Sequence, residues 1–339
     1  MVERMVTIKD IAKESGYSVS TVSRVLNHRT DVSPEAKQRI ERIVAQYNFV
    51  PNNNAKQLKQ TASRTIGVIV KGTSNVLFHG IVESIQKNVE KTTYTTDICY
   101  LDEEENEVEQ AIMMCRERKP MGILFLGGNV TYFEKSFSKV TVPCVILTNQ
   151  SDELDSPNLS SVSTDDRMAS KAAVDYLIES GHREIGILGG DWKRSDISRL
   201  RYEGGLMSFK EHGLEFRVET RYQPSRFSYD NAYQAMKCLI EKAPDITAVF
   251  AMSDVTAIGA IRALRDMGYR VPEDISVMGF DGIELAEYYN PKLTTIKQQH
   301  EGLAKRGLEI LLKMVDLNME AVHEVIPFTF QEGESVKKI

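Results

Sequence analysis

The sequence predicts an all-α helix-turn-helix head followed by an α/β body with two doubly wound parallel sheets. Residues 7–27 read TIKDIAKESGYSVSTVSRVLN, which is two short helical patterns joined by a turn that contains Gly16. From residue 66 onwards, apolar runs alternate with amphipathic helical patterns, as is typical of parallel sheets covered on both faces. A chain of 339 residues is long enough for two such sheets beside the head.

The first predicted helix begins at a capping box. Thr7 and Asp10 have the spacing at which two side chains can cap each other's backbone N–H groups. Ile11 and Ala12 continue an apolar face at helical spacing. Gly16 then permits the positive φ with which many helices end.

The second predicted helix begins after Ser18, which can cap it. Val22, Val25 and Leu26 recur at helical spacing and are expected to face a core. The positions left outward, or at the start of the helix, are Val19, Ser20, Ser23 and Arg24. In a helix-turn-helix these positions face the major groove of DNA, although an ordinary pair of amphipathic helices would show the same periodicity.

A third helix and a short polar linker complete the head. Ser33 is placed as an N-cap and Pro34 occupies the first helical position, with an apolar stripe after them. Pro51 ends this pattern. The polar segment 52–60 is too short to be a stable helix alone, and its one large apolar residue, Leu58, has nothing nearby on which to pack.

The body repeats strand and helix. Apolar runs predict strands at 66–70, 97–101, 122–126, 142–147, 185–188, 248–252, 275–280 and 325–330. Helical patterns lie at 169–179, 201–211, 231–241 and 255–267. The length favours two sheets with a break near Asp165, and a ligand crevice is expected at the carboxyl ends of the strands.

The charge changes sign along the chain. The net charge is −6, yet residues 1–64 hold 11 Lys/Arg against 6 Asp/Glu, while the rest of the chain holds 31 against 42. A basic head can neutralise phosphates, whereas an acidic body is repelled by a nucleic acid. We interpret the acidic cluster at 102–109 as the solvated start of a helix rather than an interaction tail.

Composition disfavours several classes of protein. With 42% hydrophobic and 27% charged residues the chain is typical of a soluble globular protein. No apolar run approaches the roughly 18 residues of a membrane span, and residues 1–10 lack the apolar stretch of a secretory signal, so a cytoplasmic location is expected. Cys99, Cys115, Cys144 and Cys238 lie far apart and are expected to be buried thiols. No metal or cofactor is expected.

These motifs resemble those of the LacI/GalR family of bacterial transcription regulators over nearly the whole chain. In the head the resemblance rests on TIKDIA (7–12), Gly16, TVSRVLN (21–27), Val32-Ser33, Tyr47, Pro51-Asn52, Ala55 and Leu58. In the body it rests on IGVI (66–69), Gly181-His182, Ser253-Asp254, AIG (257–259), VPEDISV (271–277), GFD (279–281) and LTTI (293–296). It implies a two-lobed body like that of periplasmic sugar-binding proteins, in which the chain crosses three times between the lobes.

The resemblance also implies domain boundaries and partners. It divides the chain into a head (1–50), a hinge-helix linker (51–64), a first lobe (65–165 and 293–318) and a second lobe (166–292 and 319–339). It implies a repressor-type regulator that binds a pseudo-palindromic DNA operator as a homodimer, controlled by a small effector, a sugar or sugar derivative, between the lobes. Whether the effector is an inducer or a corepressor stays open, as does the binding of a protein corepressor. No heptad pattern follows 325–330, so a dimer is expected rather than a tail-tethered tetramer.

Contacts with DNA are expected from the second helix and its surroundings. Arg24 can donate two hydrogen bonds to a guanine or contact a phosphate, and Val19 can touch a thymine methyl group. The resemblance places the two positions of sequence specificity at Val19 and Ser20. Phosphate or base-edge contacts are expected from Thr7, Ser18, Thr21 and Asn27, and the predicted DNA-binding set also includes Asn52.

The linker is expected to reach the minor groove. Leu58 is an apolar wedge whose exposure would be offset by insertion between base steps, which is how the family uses its equivalent. The resemblance implies that two linkers pair as helices, with Ala55 small enough for close approach. The alternative is that Leu58 packs on the body.

The resemblance assigns the effector site to Arg201, Ser253, Asp281, Phe227 and Phe78. The Arg201 guanidinium would hold hydroxyls or a carboxylate, and Asp281 would accept hydrogen bonds from adjacent hydroxyls. Phe227 would provide a flat apolar face for a sugar ring. A buried structural ion pair between Arg201 and Asp281 is the alternative.

Two positions at the mouth of the pocket depart from the family's pattern. Asn75-Val76-Leu77-Phe78 stands where Asn-Pro-Phe-Phe is common, and Lys71 stands where many members have Pro or a small residue. A Lys71 ammonium beside Arg201 would favour an acidic or phosphorylated effector, and a solvated lysine is the alternative. Trp192, the single tryptophan, is either a pocket wall or a surface aromatic residue.

Two other classes fit parts of the chain. A solute-binding receptor of a transport system would have such a body without the basic head. A doubly wound enzyme is disfavoured because we find no P-loop, G-x-G-x-x-G, H-E-x-x-H or G-x-S-x-G motif, and no turnover is expected. His182, in SGHREI, is expected to be structural.

Overall fold

The computed structural model describes residues 8–26, 32–47, 64–151, 153–154 and 156–339. The chain separates into two compact units, Met1–Ser63 and Arg64–Ile339. Thr7, Asn27, Asn52, Ala55, Leu58 and all of the predicted linker except Arg64 lie outside the described residues.

Three helices make up the described part of the first unit. They are α1 (Ile8–Ser15), α2 (Val19–Leu26) and α3 (Pro34–Gln46). Their apolar faces meet in a core that contains Ile11, Val22, Val25 and Ile40. Gly16 has a φ of 76°, which turns the chain between α1 and α2 at no steric cost. The predicted helix-turn-helix and its third helix are therefore confirmed.

Two six-stranded sheets form the described part of the second unit. The strands are β1 (Thr65–Lys71), β2 (Thr95–Leu101), β3 (Gly122–Leu126), β4 (Cys144–Leu147), β5 (Leu159–Thr164), β6 (Ile185–Gly189), β7 (Tyr222–Pro224), β8 (Ala248–Ala251), β9 (Ser276–Asp281), β10 (Thr294–Lys297), β11 (His323–Ile326) and β12 (Thr329–Gln331). The first sheet has the order β11-β5-β4-β3-β1-β2, and the second has the order β12-β10-β9-β8-β6-β7. We call the halves built on them the first lobe and the second lobe.

Helices follow most strands and cover the sheets. They are α4 (Val76–Val89), α5 (Glu107–Glu117), α6 (Val130–Ser136), α7 (Asp166–Glu179), α8 (Asp196–Glu211), α9 (Val218–Arg221), α10 (Tyr229–Lys242), α11 (Asp254–Asp266), α12 (Glu284–Tyr288) and α13 (His300–Leu317), with a 3₁₀ turn at Phe137–Lys139. In the part of the chain that the structure describes, none of them is long and apolar enough to cross a bilayer.

The sheets are almost entirely parallel. Every residue of β3 (GILFL) and of β8 (AVFA) is buried, and such continuous apolar runs are typical of parallel strands covered on both faces. Only β12 runs antiparallel to its neighbour, β10, among the strand pairs described. The predicted doubly wound sheets are confirmed.

Sheet pairing corrects two of the predicted lobe boundaries. The chain passes to the second lobe between β5 and α7, returns between β10 and α13, and passes again between β11 and β12. Residues 294–297 belong to the second lobe because β10 pairs with β9, and residues 323–326 belong to the first because β11 pairs with β5. The boundaries at 293 and 319 are therefore wrong.

One strand prediction fails for a local reason, and the strand β5 was missed for another. The single strand predicted at 325–330 is two strands in different sheets, separated by Pro327, which has no N–H for a ladder. All residues of β5 are buried. Its sequence, LSSVST, contains mostly serine and threonine, so it lacks the apolar run that predicts a buried strand. Buried hydroxyls of this kind are accommodated by hydrogen bonds, as between Ser161 Oγ and His323 Nδ1 at 2.9 Å.

The cysteine prediction is only partly right. Cys144 is fully buried, whereas Cys99 and Cys115 are half-buried and Cys238 is exposed. Cys238 lies on α10, whose buried face is formed by other residues, including Met236 and Leu239.

Candidate functional site

A cleft of about 890 Å³ lies between the two lobes, at the carboxyl ends of the strands. Five helices begin at its wall, because their N-cap residues line it: Asn75, Asn129, Ser195, Ser228 and Ser253. Each cap accepts a hydrogen bond from a backbone N–H of its helix, so polar groups surround the cleft. This is the place where doubly wound sheets bind ligands.

Five of the seven predicted effector residues line this cleft. They are Lys71 and Phe78 from the first lobe and Arg201, Phe227 and Ser253 from the second. Asp281 lies behind the wall and Trp192 lies elsewhere. Ser253 is already engaged, since its Oγ accepts from Thr256 N at 3.1 Å and lies 2.8 Å from Thr256 Oγ1.

Arg201 is held by a buried acidic environment. Its Nε donates to Asp166 Oδ1 at 2.7 Å, its Nη1 donates to the Met252 carbonyl, and Nη1 lies 3.6 Å from Asp281 Oδ1. The guanidinium also stacks 3.8 Å from the centre of the Phe280 ring. The structural pairing considered for Arg201 therefore exists, with Asp166 as the nearer partner. Nη2 has no hydrogen-bond partner among the described residues, which leaves its two N–H groups for a ligand.

Gln298 in the cleft wall and Asp281 directly behind it form what we call the polar base of the cleft. Gln298 lines the cleft and donates from Nε2 to Asp281 Oδ1 at 2.9 Å. Asp281 Oδ2 and Gln298 Oε1 are both buried without a hydrogen-bond partner in the described part of the chain. Burial raises the pKa of Asp281 to about 6, although the Arg201 charge opposes the shift. Both oxygens thus lack the hydrogen bond that buried acceptors ordinarily have.

The aromatic walls come from opposite lobes. Phe78 is buried against Gly127, where a Cβ would lie 3.2 Å from the ring. Phe227 lies beside Gly190, where a Cβ would lie 3.5 Å from its ring. Glycine at these two strand ends therefore lets the rings approach the backbone, and each lobe contributes one apolar face to the cleft.

Lys71 is not a solvated lysine. Its Nζ lies 2.5 Å from Glu107 Oε2 and 4.6 Å from the centre of the Tyr132 ring. Glu107 is completely buried, and its other oxygen accepts from Asn129 N at 2.5 Å. The solvated lysine is therefore wrong, and a carboxylate 36 positions away compensates the Lys71 charge.

Trp192 packs away from the cleft. It stacks on Tyr202, with ring centres 5.0 Å apart and an interplanar angle of 16°. The pair belongs to the apolar cluster between the second sheet and its helices. Trp192 is therefore neither a wall of the pocket nor a free aromatic residue on the surface.

The acidic cluster has a different role from the one predicted. Helix α5 begins only at Glu107, with Asn106 as its cap, so residues 102–104 form a separate turn after β2. There Arg226 of the second lobe contacts all three carboxylates: Nη2 lies 2.9 Å from Asp102 and 3.8 Å from Glu104, and Nε donates to Glu103. These four side chains line the cleft mouth.

Several important site residues carried no sequence motif. The roles of Asp166, Glu107 and Gln298 follow only from the residues that they contact in the structure. A weak signal exists for Gln298, because it follows β10 directly at the carboxyl end of that strand. Glu107 and Asp166 are first residues of helices, where a carboxylate is ordinarily a solvated helix start.

The predicted DNA-reading residues lie together on α2 or just before it. Ser18, Val19, Ser20 and Arg24 are exposed and Thr21 is half-buried. Ser18 Oγ lies 2.7 Å from Ser20 Oγ and 2.9 Å from Thr21 Oγ1, and it caps the helix by accepting from Thr21 N. The inward positions Val22 and Val25 are buried, so the opposite face of α2 is the one turned towards solvent.

Comparison with known proteins assigns the family. Residues 7–52 match the description "Bacterial regulatory proteins, lacI family", and residues 174–336 match "Periplasmic binding protein-like domain". The chain is 35% identical to the HTH-type transcriptional regulator MalR of Clostridium butyricum, covering 97% of this chain and 98% of that one. It is 30% identical to the ribose operon repressor of Haemophilus influenzae, covering 92% of each.

A solved structure agrees with this assignment. The transcriptional regulator CelR in complex with cellobiose superposes with a TM-score of 0.71 at 26% identity, covering 97% of this chain and 99% of that one. The family consists of transcriptional regulators rather than enzymes or transport receptors. Because the head, the body and the whole length all match, the chain belongs to the LacI family of bacterial transcriptional regulators.

Proposed function

We propose that this regulator represses transcription from a pseudo-palindromic operator as a homodimer, and that an uncharged sugar in the interlobe cleft controls its affinity for DNA. The relative named as a ribose operon repressor and the CelR–cellobiose complex support a sugar as the effector class. Because its target is chromosomal DNA, we place the protein in the cytoplasm.

One observation supports an uncharged effector. Each of the four cationic side chains that line the cleft in the described residues has a carboxylate partner. Lys71 pairs with Glu107 at 2.5 Å, Arg201 with Asp166 at 2.7 Å, Arg226 with Asp102 at 2.9 Å, and Arg194 loosely with Asp191 at 3.6 Å. At the two buried pairs, those of Lys71 and Arg201, a phosphate would have to displace the carboxylate or be buried beside it, and like charges in a desolvated site repel strongly.

The polar base of the cleft fits hydroxyl groups. Arg201 Nη2 is a donor, while Asp281 Oδ2 and Gln298 Oε1 are acceptors, and none of these atoms has a partner among the described residues. A hydroxyl both donates and accepts, so two neighbouring hydroxyls on a ring can satisfy the whole set. Phe78 and Phe227 supply apolar faces for the C–H groups of the ring.

The test is a ligand screen followed by operator binding. Thermal shift would be measured with maltose, cellobiose, ribose, glucose 6-phosphate and hypoxanthine, and fluorescence anisotropy would follow each hit on an operator obtained by selection from random duplexes. We expect a neutral sugar to raise the melting temperature and to change operator affinity. Preferential stabilisation by the sugar phosphate would contradict the proposal.

Site variants would locate the effect. Arg201→Ala and Asp281→Ala should abolish the response to the sugar, whereas Arg262→Ala should keep it, because Arg262 pairs with Asp266 within the exposed surface of α11. Full response in both site variants would place the effector elsewhere.

A further inference from the structure

The two lobes are connected at one edge of the sheets and bridged by charge at the other. The three crossings follow β5, follow β10 and join β11 to β12. In each sheet these strands are the edge strand and its neighbour. β2 and β7 are the opposite edge strands. Asp102 follows β2 directly, and Arg226 lies two residues after the end of β7. The Arg226 contacts with residues 102–104 therefore lie as far from the crossings as the sheets allow.

We propose that Arg226 and the acidic turn 102–104 form a latch that holds the cleft closed before any effector binds. A rotation that opens the lobes about the crossings moves the latch more than any other part of the cleft. From β5 to β2 there are four strand spacings, roughly 19 Å, so a rotation of about 10° separates the latch groups by about 3 Å. That displacement breaks an ion pair such as Arg226 Nη2 to Asp102 Oδ1 at 2.9 Å.

The acidic turn is ordered to receive the guanidinium. Asp102 Oδ1 accepts from Glu104 N at 3.1 Å, and Glu105 Oε2 accepts from Asp102 N at 2.7 Å. The turn is thus braced by its own hydrogen bonds, independently of Arg226.

The Arg226 side of the latch is also held in place. Ser225 N donates to the Gly189 carbonyl at 2.7 Å, and Ser225 Oγ donates to the Arg226 carbonyl at 2.8 Å. Through the Gly189 contact, Arg226 is tied to the end of β6 as well as to β7. Both sides of the latch are therefore preorganised.

Two hydrogen bonds that also cross the cleft in the described part of the chain are longer than the Arg226–Asp102 contact. Asn129 Nδ2 donates to the Arg194 carbonyl at 3.5 Å, and Val130 N donates to Asp196 Oδ2 at 3.4 Å. The latch side chains are 34–82% exposed, so each pair alone stabilises the closed form little and is screened by salt. A latch of this strength biases the cleft toward closure without locking it.

The regulatory consequence rests on the proposed function. An effector that binds the closed form gains apparent affinity in proportion to the fraction of molecules already closed. Weakening the latch should therefore lower effector affinity while leaving the contacts with the effector unchanged.

The test measures the distance between the lobes with neither effector nor operator present. Spin labels on Glu109→Cys and Asp230→Cys would report it by double electron–electron resonance, in a background where Cys99, Cys115 and Cys238 are Ser. Labelled chain would be diluted with unlabelled chain, so that each dimer carries one labelled copy. We expect a short, narrow distance distribution at 50 mM NaCl, which lengthens by about 3 Å and broadens at 500 mM NaCl.

Matched variants assign the effect to the latch. Arg226→Gln should show the long distribution at both salt concentrations. Arg270→Gln, which removes an exposed pair with Asp274 within the second lobe, should behave like the parent. If Arg226→Gln matches the parent at both salt concentrations, the latch is overturned. A latch that responds as expected in a protein without operator binding would instead overturn the proposed function.

Discussion

Lys71 Nζ lies 2.5 Å from Glu107 Oε2, and the two residues join the end of β1 to the start of α5. Glu107 is completely buried, so the lysine compensates a charge that has no access to water. Removing one partner of a buried pair leaves the other charge uncompensated, which is more destabilising than removing both.

We therefore expect Lys71→Met to lower the free energy of unfolding by about 3 to 5 kcal/mol. Lys71→Met with Glu107→Gln should recover much of that loss, because no buried charge is then left alone. Urea unfolding of both variants measures the difference. Equal losses in the single and double variants would show that the pair is not what stabilises this end of the sheet.

Asp281 should make stability depend on pH. Its folded pKa of about 6 lies above its ordinary value, so the folded state holds a proton more tightly than the unfolded chain. The stability that this proton confers is present below about pH 4 and is lost as pH rises to about 6. The free energy of unfolding of Asp281→Asn, relative to that of the parent, should accordingly rise by about 3 kcal/mol between pH 4 and pH 7. The reason is that the pKa of Asp281 differs by about two units between the folded and unfolded states.

Denaturant unfolding at both pH values tests this expectation, and the same variant should lose its response to the effector. A stability difference that does not vary with pH would mean that Asp281 keeps an ordinary pKa in the folded protein.

His182 should act in the opposite direction. Its ring is fully buried, with Nδ1 2.9 Å from Thr247 Oγ1 and Nε2 3.2 Å from the Lys337 carbonyl. Burial lowers its pKa below the ordinary 6.5, so its contribution is full above that pH and is lost as pH falls.

His182→Gln should therefore be less stable than the parent at pH 7.5, by an amount that shrinks at pH 5. Urea unfolding at the two pH values checks this, with exposed His79→Gln as the matched control. A deficit that grows toward acid pH would contradict the sign.

Arg24 should contribute to sequence recognition. If it pairs with a guanine, Arg24→Ala weakens operator binding by about 1 to 3 kcal/mol and relaxes the preference at one base pair. Anisotropy titrations on operators substituted at each position would measure both effects. Uniform weakening on every sequence, with a reduced salt slope, would identify a phosphate contact instead.

Leu58 should matter to DNA binding only. Leu58→Ser is expected to weaken operator binding by about tenfold or more, because the apolar wedge is lost, while effector binding stays intact. Leu317→Ser is the matched control, since Leu317 is 72% exposed on α13 of the body. Unchanged operator affinity in Leu58→Ser would remove the wedge from the mechanism.

The fold was largely predictable because its signals are local. The continuous apolar runs in β1 and β3, the glycine after α1 and the Ser-Pro start of α3 each occupy a few consecutive residues. The strand β5 was not predicted because its residues are mostly serine and threonine, which are usually exposed. The boundaries near residues 293 and 319 were wrong because the sequence of a short strand does not indicate which sheet it joins.

The site was predictable in part. The family motifs correctly predicted that Arg201, Ser253 and the two phenylalanines line one cleft. They did not predict that Asp166 is the nearer partner of Arg201. Trp192 illustrates the limit, since an aromatic residue after a strand can face a cleft or a helix, and packing on Tyr202 decides it.

By itself the sequence determined the class of molecule: a basic reading head on a two-lobed body of parallel sheets. Only the tertiary structure decided which charges meet. Arg226 and Asp102 are 124 residues apart, and Lys71 and Glu107 are 36 apart. Helix periodicity, caps and turns depend on backbone geometry within a few residues, whereas an ion pair depends on which loops the order of strands brings to the same edge.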